Sequence, residues 1–291
     1  MLTREQLFEK INNGLRYLDG ATGSNLQKAG MPRGCCSEAW ILEHPEALTE
    51  LQTRYAQAGS QILYAPTFQA QPIALAAVGL DAQTEKINAQ LVQLTRSVSS
   101  DCLVAGNLTT LAAYTDSWDE GNFDLLVDNY RRQIKGLIDG GADLLAAETL
   151  LYPHEAEAIL TAAELEGAGA AMYTFTMQPD GSLFSGRDAA PVLKNLEQSG
   201  AAAVGFNCVA ADSMTAGLVS KLRRSVSIPL ICKPNAGNPV IGQDGLAHYP
   251  MGPDSFADIM ADCAAMGATL LGGCCGTAPE YISAVKRHLS L

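Results

Sequence analysis

Two groups of cysteines carry the chemistry of this chain. One is the segment Gly272-Gly273-Cys274-Cys275-Gly276-Thr277, the other Gly205-Phe206-Asn207-Cys208, and each follows a short apolar run. Three thiolates arriving from two strand ends make a zinc site with three protein ligands and a fourth position open to substrate, the arrangement of catalytic zinc. Neighbours on a regular strand point to opposite faces, so Cys274 and Cys275 can share a metal only where the backbone bends. Gly272, Gly273 and Gly276 flank the pair and give that freedom. A disulfide between adjacent cysteines would be strained. The competing reading is a buried pair of small hydrophobes. A second adjacent pair, Cys35-Cys36, lies in a loop and reads as an ordinary loop pair ahead of a second metal or redox site. Cys102, Cys232 and Cys263 fall inside expected strands or helices and read as core. The histidines, His44, His154, His248 and His288, do not pair at metal-ligand spacings; His248 lies nearest a strand-tip loop.

Positioning these thiols requires a large framework. With 291 residues the chain can build one α/β barrel or two smaller domains. Its net charge of −12, from 19 Lys+Arg against 31 Asp+Glu, argues against nucleic acid and against an anionic membrane surface. No apolar run reaches the roughly 20 residues that span a bilayer. The N-terminus, Met1-Leu2-Thr3-Arg4-Glu5-Gln6-Leu7-Phe8, reads as a polar helix start without the apolar stretch of a signal peptide. A cytoplasmic location follows as the expectation, and there the eight cysteines stay reduced, suited to metal binding or thiol chemistry.

Short apolar runs alternate with longer helical stretches. Strands are expected over 15–18, 61–64, 102–105, 144–147, 170–175, 202–206, 230–233 and 269–271, with helices over 45–58, 123–138, 251–266 and 279–289. A glycine suited to a helix C-terminus follows several helices, at Gly59, Gly140 or Gly141, Gly200 and Gly267. Eight such units predict a single (β/α)₈ barrel over residues 1–291. A doubly wound sheet would want a glycine-rich phosphate fingerprint after the first strand, and Asp19-Gly20-Ala21-Thr22-Gly23 is a poor one. In the barrel, strand C-termini share one face. Its tips read Asp19, Thr67-Phe68, Asn107, Glu148-Thr149, Thr176, Asn207-Cys208, Asn235 and Cys274-Cys275, polar or ligating at nearly every position. Two long connections, 30–43 and 107–122, leave that face as candidate binding loops.

These motifs resemble the homocysteine S-methyltransferase family, which includes the homocysteine-binding module of cobalamin-dependent methionine synthase. The segments that carry the resemblance are Leu18-Asp19-Gly20-Ala21-Thr22-Gly23, Ala58-Gly59-Ser60, Pro66-Thr67-Phe68-Gln69-Ala70, Glu148-Thr149, Gly205-Phe206-Asn207-Cys208, Lys233-Pro234-Asn235-Ala236-Gly237 and Gly272-Gly273-Cys274-Cys275-Gly276-Thr277, in family order. The resemblance implies a catalytic Zn²⁺ held by Cys208, Cys274 and Cys275, with homocysteine as acceptor and methionine as product. Zinc would keep the acceptor's thiol, whose ordinary pKa lies well above 7, as the attacking thiolate. Asp19 and Glu148 match the positions that hold the substrate ammonium, with a structural hydrogen bond as the alternative role. Backbone N–H groups of Gly20, Ala21, Thr22 and Gly23 can take its carboxylate. Thr67 and Phe68 are expected to wall the pocket and Asn207 to orient a ligand. Asn235 is expected either to fill the open zinc position without substrate or to shape a turn.

The methyl donor is less constrained. The Lys233–Gly237 and Gly272–Thr277 segments favour methylcobalamin carried by a separate corrinoid protein, since no cobalamin-ligating Asp-x-His-x-x-Gly segment is present. Cobalamin-dependent relatives carry an Asn before the Thr-Phe pair, whereas this chain has Tyr64-Ala65-Pro66-Thr67-Phe68. The run Gln69-Ala70-Gln71-Pro72 resembles relatives that use S-methylmethionine or S-adenosylmethionine, so a sulfonium donor stays open. A non-enzymatic zinc or redox thiol protein would use the same cysteines, but would not need Asp19, Glu148 and the polar tips.

Overall fold

A computed structural model describes residues 1–242 and 247–290. Eight parallel strands form one sheet: β1 (Arg16–Tyr17), β2 (Ile62–Tyr64), β3 (Leu103–Thr109), β4 (Leu144–Leu150), β5 (Ala171–Phe175), β6 (Ala203–Ala210), β7 (Leu230–Asn235) and β8 (Leu270–Leu271). Neighbours follow chain order from β2 to β8, and β8 pairs with β1. A parallel bridge between Leu18 and Ile62 joins β1 to β2 and closes the ring. This is the expected (β/α)₈ barrel. The strands are nearly continuous apolar runs because both faces are covered, by the barrel interior on one side and by helices on the other.

Helices fall where periodicity places them. Those at Pro45–Ala58 and Pro279–Leu289 match the expected bounds, and the other two differ by one or two residues at their ends. Both matching helices begin with proline at the first turn, where its missing N–H costs nothing. The repeated helix–glycine–strand loop is present: Gly59, Gly141, Gly200 and Gly267 all have φ between 84° and 110°, a region open to glycine and strained for other residues.

The strands differ from expectation at their C-terminal ends. β3, β4 and β6 run three or four residues further, so Asn107, Glu148, Thr149, Asn207 and Cys208 lie within strands. Hydrogen bonding continues there across register shifts between Ala147 and Leu150 and between Asn207 and Ala210. At the opposite end of the barrel, the helix Arg4–Ile11 sends Leu7 and Ile11 into the cluster made by Leu18, Ile62, Leu144, Met172, Ile231 and Leu270. Leu2 fixes that helix, donating its N–H to Asp143 and accepting from Ala170 N–H. Among the described residues, no helix is long and apolar enough to cross a membrane.

Candidate active site

The three expected thiols meet. Sγ atoms of Cys208, Cys274 and Cys275 all lie within 4.8 Å of one another, with Cys208 and Cys275 4.0 Å apart. Tetrahedral zinc–thiolate bonds of about 2.3 Å would set the sulfurs about 3.8 Å apart, so the donor set and its spacing fit the metal. Cys208 reaches this place because the β6 bulge turns it to φ 58°. Past the two-residue β8, the pair Cys274-Cys275 is held by adjoining chain. Gly273 N donates to Asp19 O, Cys274 N to Pro234 O, and Cys275 N to Asn235 Oδ1 at 3.0 Å. Gly276, at φ 81° and packed against the Tyr249 ring, completes the bend. Burial and crowding restrict the charge the thiols can carry. Hydrogen bonds, first from Cys208, pull Cys275 down to about 3, whereas Cys208 is pushed far up, first by its bonds to Cys274 and Cys275.

Asn207 ties the site together from behind. Its Oδ1 accepts from Thr149 N at 2.7 Å and from Thr174 Oγ1 at 2.9 Å, while Nδ2 donates to Thr149 Oγ1 at 2.7 Å and points toward Cys274 Sγ at 3.8 Å. Thr149, like Cys208, has φ 58°. Asn207 thus locks the two strained bulges to each other.

The cavity lined by these thiols also holds a charged group. Lys233 Nζ, its side chain 3 % exposed, lies 3.2 Å from Glu148 Oε2 and 3.6 Å from Asp19 Oδ1, and 3.7 Å above the Tyr64 ring. Asp19 Oδ2 accepts from Tyr64 N at 2.7 Å, and Glu148 Oε1 accepts from Asn107 Nδ2 at 2.9 Å. Burial raises Asp19 to about 6, with Lys233 opposing the shift. Burial alone would depress Lys233, but Glu148, Tyr64 and Asp19 together hold it well above its ordinary value. Buried charge of this kind persists when paired and hydrogen-bonded.

Both groups line this cavity of about 290 Å³. Its lining includes Asp19, Gly20, Ala21, Thr22, Phe68, Glu148, Cys208, Cys274 and Cys275, all expected from sequence. Thr67, Asn207 and Asn235 do not line it. Thr67 is fully buried and brackets Asn107, donating to its carbonyl at 2.8 Å and accepting its N–H at 3.0 Å. Asn235 Oδ1 accepts from Cys275 N at 3.0 Å, a contact that suits a turn-shaping role. Ala21 N–H is directed at Thr277 Oγ1 at 3.2 Å, leaving Gly20, Thr22 and Gly23 as the N–H groups of that loop without this engagement. Sequence reasoning gave no role to Lys233 or Glu38 and named Asn107 only as a polar strand tip. The lysine stood inside a quoted motif, and a cation between two acidic tips was the available signal. Glu38 brings the loop 30–43 to the cavity, its carboxylate accepting from Gln69 N and Ser37 Oγ. Cys35 and Cys36 lie outside the thiol trio, Cys35 exposed with its thiol on Pro32 O. His248 is exposed on a short hairpin and does not line the cavity.

Comparison with known proteins gives a consistent result. Residues 17–289 match the homocysteine S-methyltransferase family model. The chain is 31 % identical to the Escherichia coli homocysteine S-methyltransferase, covering 92 % of this chain and 93 % of that one. It is 28 % identical to a Mycobacterium leprae methionine synthase over 96 % of this chain and 24 % of that longer protein. The crystal structure of the metallated form of the E. coli homocysteine methyltransferase MmuM superimposes with a TM-score of 0.82 at 28 % identity, covering 97 % and 98 % of the two chains. With its eight-stranded ring, its converging thiols and a family match from β1 to the last helix, the chain belongs to the homocysteine S-methyltransferase family and is a methyltransferase.

Proposed function

We propose that this protein is a zinc-dependent homocysteine S-methyltransferase that forms methionine. The observation that carries the reading is the presence of two unlike groups in the lining of one small cavity: three thiols able to hold a metal, and an acidic cluster able to hold an ammonium. Homocysteine has a thiol at one end and a zwitterionic head at the other, so it can span them. Cys208, Cys274 and Cys275 would hold Zn²⁺, which when bound supplies the stabilisation that lets a thiol persist as thiolate at neutral pH. The protein's own residues do the rest. The Asp19–Glu148 side receives the ammonium, and N–H groups at Gly20 and Thr22 receive the carboxylate. Phe68 and Tyr64 contribute apolar surface to the cavity wall, which limits water around the bound substrate. Held at both ends, the substrate meets the donor with its orientation already fixed. Its sulfur then forms a bond to the donor's methyl carbon as the bond from that methyl to its former carrier breaks.

The cavity lies at the small end of ligand pockets, which favours an amino-acid-sized sulfonium such as S-methylmethionine as donor. In that case the methyl's old bond leaves its electrons on the donor sulfur, and a neutral thioether departs. A methylated corrinoid on a separate protein is the second reading, favoured by the match to a methionine synthase over 96 % of the chain. Zinc analysis followed by incubation with homocysteine and either S-methylmethionine or methylcobalamin tests both. About one zinc per chain and methionine formed from one donor are expected. Metal-loaded protein that consumes neither donor, with a metal site indifferent to homocysteine, would overturn the reading.

A further inference from the structure

Resting on the reading that homocysteine binds this cavity, we propose that Thr277 is a positioning residue, stitching the loop that receives the substrate carboxylate to the turn that carries two of the thiols. Those segments are 19–23, after β1, and 273–277, after β8. Gly20, Ala21, Thr22 and Gly23 line the cavity from one, and Gly273, Cys274 and Cys275 from the other. Thr277 is fully buried and does not line it, so it acts from behind. Its hydroxyl serves both segments at once: Oγ1 accepts from Ala21 N at 3.2 Å and donates to Cys274 O at 2.7 Å. A hydroxyl can accept and donate together, which neither a backbone amide nor a carbonyl can. Two further side chains bridge the same segments through their carbonyls. Asn25 Nδ2 donates to Ala21 O at 2.7 Å and to Thr277 O at 2.9 Å. The Tyr55 hydroxyl lies 3.0 Å from Ala21 O and 3.4 Å from Thr277 O. The packing at the threonine hydroxyl is close. A Cβ at Gly20 would lie 2.6 Å from Thr277 Oγ1 and one at Gly273 2.3 Å from it, so both segments are glycine where they press on it. The thiol turn has other supports, since Cys274 N bonds Pro234 O, Cys275 N bonds Asn235 Oδ1 and Thr277 N bonds Cys274 O at 3.1 Å. Ala21 N–H has Thr277 Oγ1 as its partner. Loss of the hydroxyl therefore leaves the thiols in place and loosens the loop against them. A ligand that spans both segments feels their spacing, and one without a carboxylate does not.

Calorimetric titration of the zinc-loaded protein with homocysteine and with 3-aminopropanethiol, the same molecule without its carboxylate, tests this. Wild type is expected to prefer homocysteine. Thr277→Val keeps the shape and loses the hydroxyl. It is expected to weaken homocysteine about tenfold, the scale of one hydrogen bond, and to leave 3-aminopropanethiol and zinc itself, the latter by chelator competition, within about threefold. Thr277→Ser, which restores the hydroxyl, is expected to bind as wild type does. Equal weakening of both thiols, weakened zinc binding, or unchanged homocysteine affinity in Thr277→Val overturns the assignment, as does a wild type with no preference between the thiols; all of these leave the proposed function standing. Wild type that does not bind homocysteine overturns the proposed function itself. Should Thr277→Val not fold, Tyr55→Phe decides, because it removes the hydroxyl that touches both carbonyls and keeps the ring. Homocysteine weakened at least about threefold more than 3-aminopropanethiol supports the assignment, and a parallel change in both, or none, sinks it.

Discussion

Asp19 and Lys233 show how much of the site's behaviour is set by burial. Because burial raises Asp19 to about 6, its carboxyl is neutral below that pH and ionised above it. Only the ionised form attracts an ammonium strongly, so homocysteine affinity is expected to fall as pH drops through about 6. The same titrations on Asp19→Asn should lack that step, and a step of equal size in the variant would exclude Asp19 as its source. Lys233→Met would leave two carboxylates facing each other in an apolar wall without their cation. Removing one partner of a buried ion pair costs about 3–5 kcal/mol, and denaturant unfolding should show a loss of that order. Adding Asn at position 19 to that variant should recover part of the loss, since one uncompensated charge is removed. The three thiols were legible from sequence because cysteine among glycines at two strand tips has few other uses. Asn107 was visible only as a polar tip, because its bond to Glu148 joins residues 41 positions apart in sequence.

At the scale of elements, the decisive devices are the bulges in β4 and β6. They put Thr149 and Cys208 at φ 58°, a conformation that costs a non-glycine residue of order 1–3 kcal/mol and persists only where the surroundings enforce it. Asn207 provides the enforcement through its bonds to Thr149 and Thr174. Asn207→Ala is expected to lower zinc affinity about 10- to 100-fold, as loss of a residue supporting metal ligands commonly does. Competition with a chromophoric chelator measures it; unchanged affinity would mean that the bulges hold without the clamp. Sequence periodicity located all eight strands and the main helices but ended β3, β4 and β6 too early. Apolar alternation fails at those ends because the residues there are polar and serve the site, while backbone pairing continues beneath them. The αβ loops were legible for the opposite reason, since a glycine after several of the helices answers a purely local conformational need.

For the molecule as a whole, the order of neighbours matters. The ring is deeply paired from β3 to β7, but β8 meets β7 and β1 through two residue pairs each, and β1 meets β2 through a single bridge. The N-terminal helix secures the bottom of the barrel, on the side away from this thin seam's upper edge. A metal held by Cys208, Cys274 and Cys275 would join β6 to the chain just beyond β8, across β7, and so act as a clasp over three neighbouring strands. The consequence is kinetic. If unfolding starts by parting β8 from β7, the metal must be released first, and the lifetime of the folded state becomes tied to metal occupancy. Stripping zinc with a chelator should then raise the unfolding rate in a denaturant jump by at least about tenfold, equivalent to about 1.4 kcal/mol on the barrier. A site evolved to hold a nucleophile would in this way also govern how long the enzyme lasts.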